Sequence, residues 1–146
     1  MHHKERFKLI AAVHLLLIKE GSILLLRRFN TGYEDGNYSV PAGHLDGGEK
    51  ASDAMMREAK EEAGITIAPK DLSMVHVMHW LGDDERMQFF FFAKKWQGEI
   101  KNMEPEKCDN LEWFSINDLP KNMVPYVRAA ISHYLNNNNF SEFGWD

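Results

Sequence analysis

The apolar positions of the chain fall into runs whose length and spacing predict its elements. The first run, Leu9-Ile-Ala-Ala-Val-His-Leu-Leu-Leu-Ile18, is answered after Lys19-Glu20-Gly21 by a second, Ile23-Leu-Leu-Leu-Arg-Arg28. Two strand-length runs around a short glycine turn predict a β-hairpin. A loop from Phe29 to Asn37 and a short strand ending at Val40-Pro41 follow. Apolar residues then recur at helical spacing from about Lys50 to Ala63, with Gly64 placed to end the helix. Strand signals return at Ser73–Leu81, Met87–Trp96 and Leu111–Ser115, and a last helix spans about Val124 to Leu135. Phe89 to Phe92 reads as a central strand buried on both faces, or as core with one ring left to stack on a base. Hairpin-linked strands with one helix early and one late predict an α/β fold, a mixed β-sheet held between helices. The tail from 136 to 146 has four asparagines and then Phe140, Phe143 and Trp145, and receives no element; fraying is the default for a terminus.

The helix carries the chemistry. Glu58, Glu61 and Glu62, at spacings i, i+3 and i+4, lie on one helical face that continues the stripe of Ala51, Ala54 and Met55. Lys50, Asp53, Arg57 and Lys60 fall on the opposite, solvated side. Glu61 and Glu62 occupy the last turn, where the helix dipole is negative and like charges repel, so a positive partner is expected. Clustered hard oxygen donors point to Mg²⁺, with Mn²⁺ as a substitute. A doubled glutamate taken alone is an ordinary solvated face; the pattern around it decides otherwise.

In order, the stretch has Gly43, five residues, Glu49, seven residues, Arg57-Glu58, Ala59, Lys60, Glu61-Glu62, Ala63, Gly64 and Ile65. This resembles the signature box of the Nudix hydrolases, departing only at Ala59, where the family usually has a bulkier aliphatic residue. The resemblance in layout covers about residues 7 to 135 of a single domain spanning 1–146, and implies an α/β/α sandwich. It further implies hydrolysis of a phosphoanhydride in a nucleoside diphosphate linked to another group. Glu61 and Glu62 are then metal ligands, and Glu58 is a ligand or the general base, held ionised by Arg57. The Gly43 carbonyl is a ligand in the family, and glycine there permits close backbone approach. Glu49 either ties the loop to Arg57 or caps the helix start. A further acid is expected from Glu104-Pro-Glu106-Lys107-Cys108-Asp109, with Glu106 the first choice and Glu104 the second.

Charge and composition narrow the partners. A 146-residue chain with net charge −5 and no basic stripe argues for a small nucleotide substrate and against a nucleic-acid surface. Arg27 and Arg28 are candidates for phosphate contacts or plain surface charge; Tyr33 and Tyr38 face the substrate or pack. His76 and His79 fall on opposite faces of one strand and cannot share an ion. The lone Cys108 excludes an internal disulfide, which suits a reducing cytoplasm. Lys4, Arg6 and Lys8 before the first apolar run imitate a secretion signal, but His14 interrupts the run, no small-residue cleavage site follows, and it is too short to span a bilayer. A homodimer is compatible with the sequence. Two other functions compete: a catalytically silent Nudix-fold binding or regulatory module, which predicts replaced acids, and a prenyl diphosphate isomerase, which calls for a catalytic cysteine in a supporting context. The box retains Arg57, Glu58, Glu61 and Glu62.

Overall fold

In the computed structural model, which describes residues 5–146, the sheet is built around β1 (Ile10–Lys19). Lys4 of the signal-like N-terminal charges lies outside the described residues. β1 pairs in parallel with β6 (Glu85–Ala93), which pairs antiparallel with β5 (Ser73–Leu81). At its start β1 also pairs with the short β4 (Ala42–His44), and at its end with β2 (Ser22–Arg28). β2 in turn carries β3 (Tyr38–Ser39) and β7 (Cys108–Ser115). Parallel and antiparallel pairs in one eight-stranded sheet give the mixed α/β architecture expected.

Both faces of the sheet are covered, which is why β1 and β6 read as continuous apolar runs rather than alternating ones. Val13, Leu15, Leu17, Phe91 and Ala93 pack against α1 (Ala51–Ala63) through Ala54, Met55, Ala59 and Ala63. Leu16, Met78 and Phe90 on the other face pack against α2 (Pro125–Leu135) through Val127, Ala130 and Ile131. The small Ala59 is fully buried in this interface. Gly64 ends α1 in the left-handed conformation, φ 72°, its N–H donating to the Lys60 carbonyl.

Two strands were not predicted. β4 is only three residues long, too short to register as a period. The tail, expected to fray, forms β8 (Phe140–Phe143), which adds in parallel to the outer edge of β5. His76 explains its order: one ring nitrogen lies 2.8 Å from the Asn138 carbonyl and the other 2.7 Å from the Ser141 hydroxyl. Trp145 donates from its indole to the His79 carbonyl at 3.0 Å. Among the described residues no helix is long and apolar enough to cross a membrane.

Candidate active site

Where β4, α1, the loop after β2 and the turn before β7 meet, a cleft of about 680 Å³ opens toward the exposed end of the sheet. Glu58, Glu61, Glu62 and Gly43 all line it. The helix supplies the acids and β4 supplies the backbone beside them. A methyl group built on Gly43 would overlap the Glu58 carboxyl group, so only glycine lets the strand approach this closely.

Arg57 organises one wall. From the outer face of the helix it reaches into the loop before α1, donating to Glu49 at 2.7 Å and to Glu58 at 2.8 Å, the two contacts expected of it. Its side chain is long enough to turn along the helix surface toward acids that compensate it. Glu49 thus ties the loop to Arg57, and the start of α1 has no side-chain cap. Despite Arg57, the Glu58 carboxyl is held above its ordinary pKa, first by burial and then by the charge of Glu61. Glu62 is held well above the carboxylate range by burial, with Glu58 and Glu104 adding to it and the Ala42 N–H, 2.8 Å away, opposing it. This end of the cleft is therefore short of positive charge.

The carboxylates line the wall without converging. Among the described residues no three histidine, cysteine, aspartate or glutamate side chains form a ready coordination sphere. Glu58 is drawn to Arg57 and Glu62 to the Ala42 N–H. In kind, however, the donors fit a hard divalent cation: they are all oxygen, they face one cavity, and burial and mutual repulsion raise the pKa of two of them.

The remaining expectations divide. Glu104, not Glu106, lines the cleft. The N–H groups of Lys107 and Cys108 both donate to the Glu104 carbonyl, closing a tight turn that leaves Glu106 exposed. Arg28 lines the cleft, donating to the Tyr33 carbonyl and the Thr31 hydroxyl, whereas Arg27 pairs with Asp109 at 2.7 Å away from it. Consecutive strand residues point to opposite faces, so the pair could not both serve. Tyr33 lines the cleft and stacks under Arg28. Tyr38 does not: it is buried against Phe114 in the α2-side core and its hydroxyl accepts from Asn110.

Sequence reasoning missed Lys107 and the groups on the α2 side of the sheet, His14, Gln88, Trp80, Arg86 and Tyr126, all of which line the cleft. The signal for two of them was present. His14 and Gln88 are polar residues inside apolar strands, a costly placement that calls for a reason.

Comparison with known proteins agrees with this geometry. A family model described as the NUDIX domain matches residues 8–134. The NAD-capped RNA hydrolase NudC of Pseudomonas putida is 33% identical over 121 residues, 83% of this chain and 41% of that protein. Its counterpart in Pseudomonas aeruginosa is 30% identical over the same shares. The chain spans about two-fifths of the length of these curated relatives. Among solved structures, a MutT NUDIX hydrolase from Burkholderia pseudomallei superposes with a TM-score of 0.79 at 25% identity, covering 86% of this chain and 98% of that one. The MutT protein from Methanosarcina mazei Go1, at 22% identity and TM-score 0.76 over 91% and 97% of the two chains, shares the fold. With the family model covering most of its length and the glutamate helix in place beside Gly43, the chain belongs to the Nudix family.

Proposed function

We propose that the chain hydrolyses a phosphoanhydride bond in a nucleoside diphosphate linked to another moiety. The observation that carries this reading is the gathering of Glu58, Glu61, Glu62 and Glu104 with the cations Arg28 and Lys107 in one cleft. A pyrophosphate resists attack because its oxygens repel the incoming water; Arg28 and Lys107 offset part of that charge. Glu61, Glu62 and Glu104, with the Gly43 carbonyl, would hold Mg²⁺ or Mn²⁺, leaving Glu58 free to take a proton. Such an ion, when bound, neutralises phosphate charge and makes water more acidic.

Glu58 acts as the base. It takes one proton from the water as the water oxygen bonds to phosphorus and the bridging oxygen departs. Burial and the charge of Glu61 raise its pKa, which makes it a stronger proton acceptor than an ordinary carboxylate. Arg57, fixed by Glu49, holds that carboxylate in place. The name of the curated relatives adds NAD and NAD-capped RNA to the substrates worth testing. The purified protein with Mg²⁺ is to be assayed against nucleoside triphosphates, nucleotide sugars, NAD, dinucleoside polyphosphates and NAD-capped RNA, beside Glu61→Gln. Turnover of one class, abolished by chelator and by the substitution, supports the hydrolase. Binding without turnover across the panel favours the silent module.

A further inference from the structure

The cleft has a second end, chemically unlike the first. Its floor is the α2-facing side of β1 and β6, where register sets Gln88 beside Ala12, one step from His14. Its walls include Trp80 of β5 and Tyr126 of α2. The buried side-chain polar atoms without a partner among the described residues are two, His14 Nδ1 and Gln88 Oε1, and both belong to this floor. Native interiors rarely leave such atoms unpaired, because the loss of water is then uncompensated.

We propose that this end is the base subsite, in which Gln88, with His14 beside it, reads the hydrogen-bonding edge of a neutral nucleobase flanked by Trp80 and Tyr126. The inference rests on the cleft being a nucleotide site. A glutamine amide presents one acceptor beside one donor, and a half-turn about its last torsion exchanges them. Nucleobase edges carry the same adjacent pair, so one amide matches a base bidentately. An apolar group would leave both amide atoms unpaired.

The electrostatics agree. Arg86, the cation at this end, is already neutralised by Asp84, with contacts of 2.7 and 3.0 Å, and its remaining nitrogen lies 2.9 Å from His44. Burial keeps His14 neutral, its pKa pushed down to about 3. Arg28 acts on His14 and Tyr126 as well as on Glu62 and so stands between the two ends; phosphates gain most at Arg28 and Lys107, which orients a nucleotide with its base beyond Arg28, away from the glutamates. The flat walls are also held in place: Arg86 lies 5.7 Å over the Trp80 ring, Trp80 and Tyr126 are 5.8 Å apart, and the Tyr126 hydroxyl is 2.9 Å from His14 Nε2. Walls fixed before binding spare the ligand the cost of ordering them.

The test is calorimetric titration of the chelator-treated protein with the 5′-monophosphates of adenosine, guanosine, cytidine and uridine, and with ribose 5-phosphate. At least one nucleotide is expected to bind tenfold or more tightly than ribose 5-phosphate. Gln88→Met should shrink that gap about tenfold while moving the ribose 5-phosphate Kd less than twofold. Trp80→Leu, at a partly exposed position that leaves the buried floor intact, should shrink it as well. Ribose 5-phosphate binding as tightly as all four nucleotides, or a Gln88→Met protein that keeps the wild-type gap, would overturn the subsite. Because no metal or turnover is needed, the two readings fail separately. A preserved gap without hydrolysis sinks only the hydrolase, and hydrolysis without a gap sinks only the subsite.

Discussion

The two ends of the cleft handle charge in opposite ways. At the α1 end, Glu58, Glu61, Glu62 and Glu104 line the cleft while one arginine pairs with Glu58, and burial and mutual repulsion raise the pKa of Glu58 and Glu62 above their ordinary values. At the α2 end the groups of the floor and walls carry little net charge: Arg86 is paired with Asp84, His14 stays neutral, and burial keeps the Tyr126 phenol protonated. One end is built incomplete, awaiting cations and phosphate; the other is left open in hydrogen bonds, at His14 Nδ1 and Gln88 Oε1. The contrast teaches that a single cavity can separate reaction from recognition by where it leaves a deficit.

The hardest break is at the charged end. Glu58→Gln removes the proton acceptor, and turnover should fall by about 10²–10⁴-fold. Nucleotide binding to the chelated protein should survive, since the other end is untouched; equal loss of both would dissolve the distinction. Gly43→Ala comes next. The added methyl must displace the Glu58 carboxyl group, and a misplacement on the ångström scale costs about 10²-fold in rate. A thermal melt close to wild type alongside that loss would locate the damage in geometry rather than in folding.

The neutral end is tested through stability. His14 has a folded pKa of about 3 against 6.5 for the free side chain, so the unfolded chain binds a proton that the folded chain refuses. Its contribution is intact above pH 6.5 and is lost as the pH falls toward 3, at about 1.4 kcal/mol per pH unit. Between pH 6.5 and 5.0, urea unfolding of the wild type should lose about 1.6 kcal/mol more than that of His14→Phe. The same slope in both proteins would assign it elsewhere. Smallest of all is Arg27→Ala. Its exposed pair with Asp109 lies off the cleft, so kcat/KM should stay near wild type and stability within about 0.5 kcal/mol.

How far each end could be read from the chain follows from how each is assembled. The acids sit on one continuous helix, so the helical repeat alone puts Glu58, Glu61 and Glu62 on a common face, and the glycine turn before them sits nearby by chain connectivity. The neutral end joins residues as distant as His14 and Tyr126, separated by 112 positions. They meet only because β1 lies parallel to β6 and β6 antiparallel to β5, an order that no local period encodes. Smaller errors have local causes. Glu106 and Glu104 differ by one turn residue pair, and only the backbone bonds closing on the Glu104 carbonyl decide which faces inward. Helical phase places the Arg57 Cα on the outer face, yet its long side chain returns to Glu49, as the expected tie of Glu49 to Arg57 requires.

The C-terminal strand has a practical meaning. β8 is laid along β5 from Val77 to Trp80, and Trp145 grips the backbone at His79, one residue from the wall of the neutral end. β8 and the strand that carries Trp80 are thus one hydrogen-bonded unit. A protease cut near Asn138 would loosen β8 and strip cover from the edge of β5, inviting strand-to-strand aggregation.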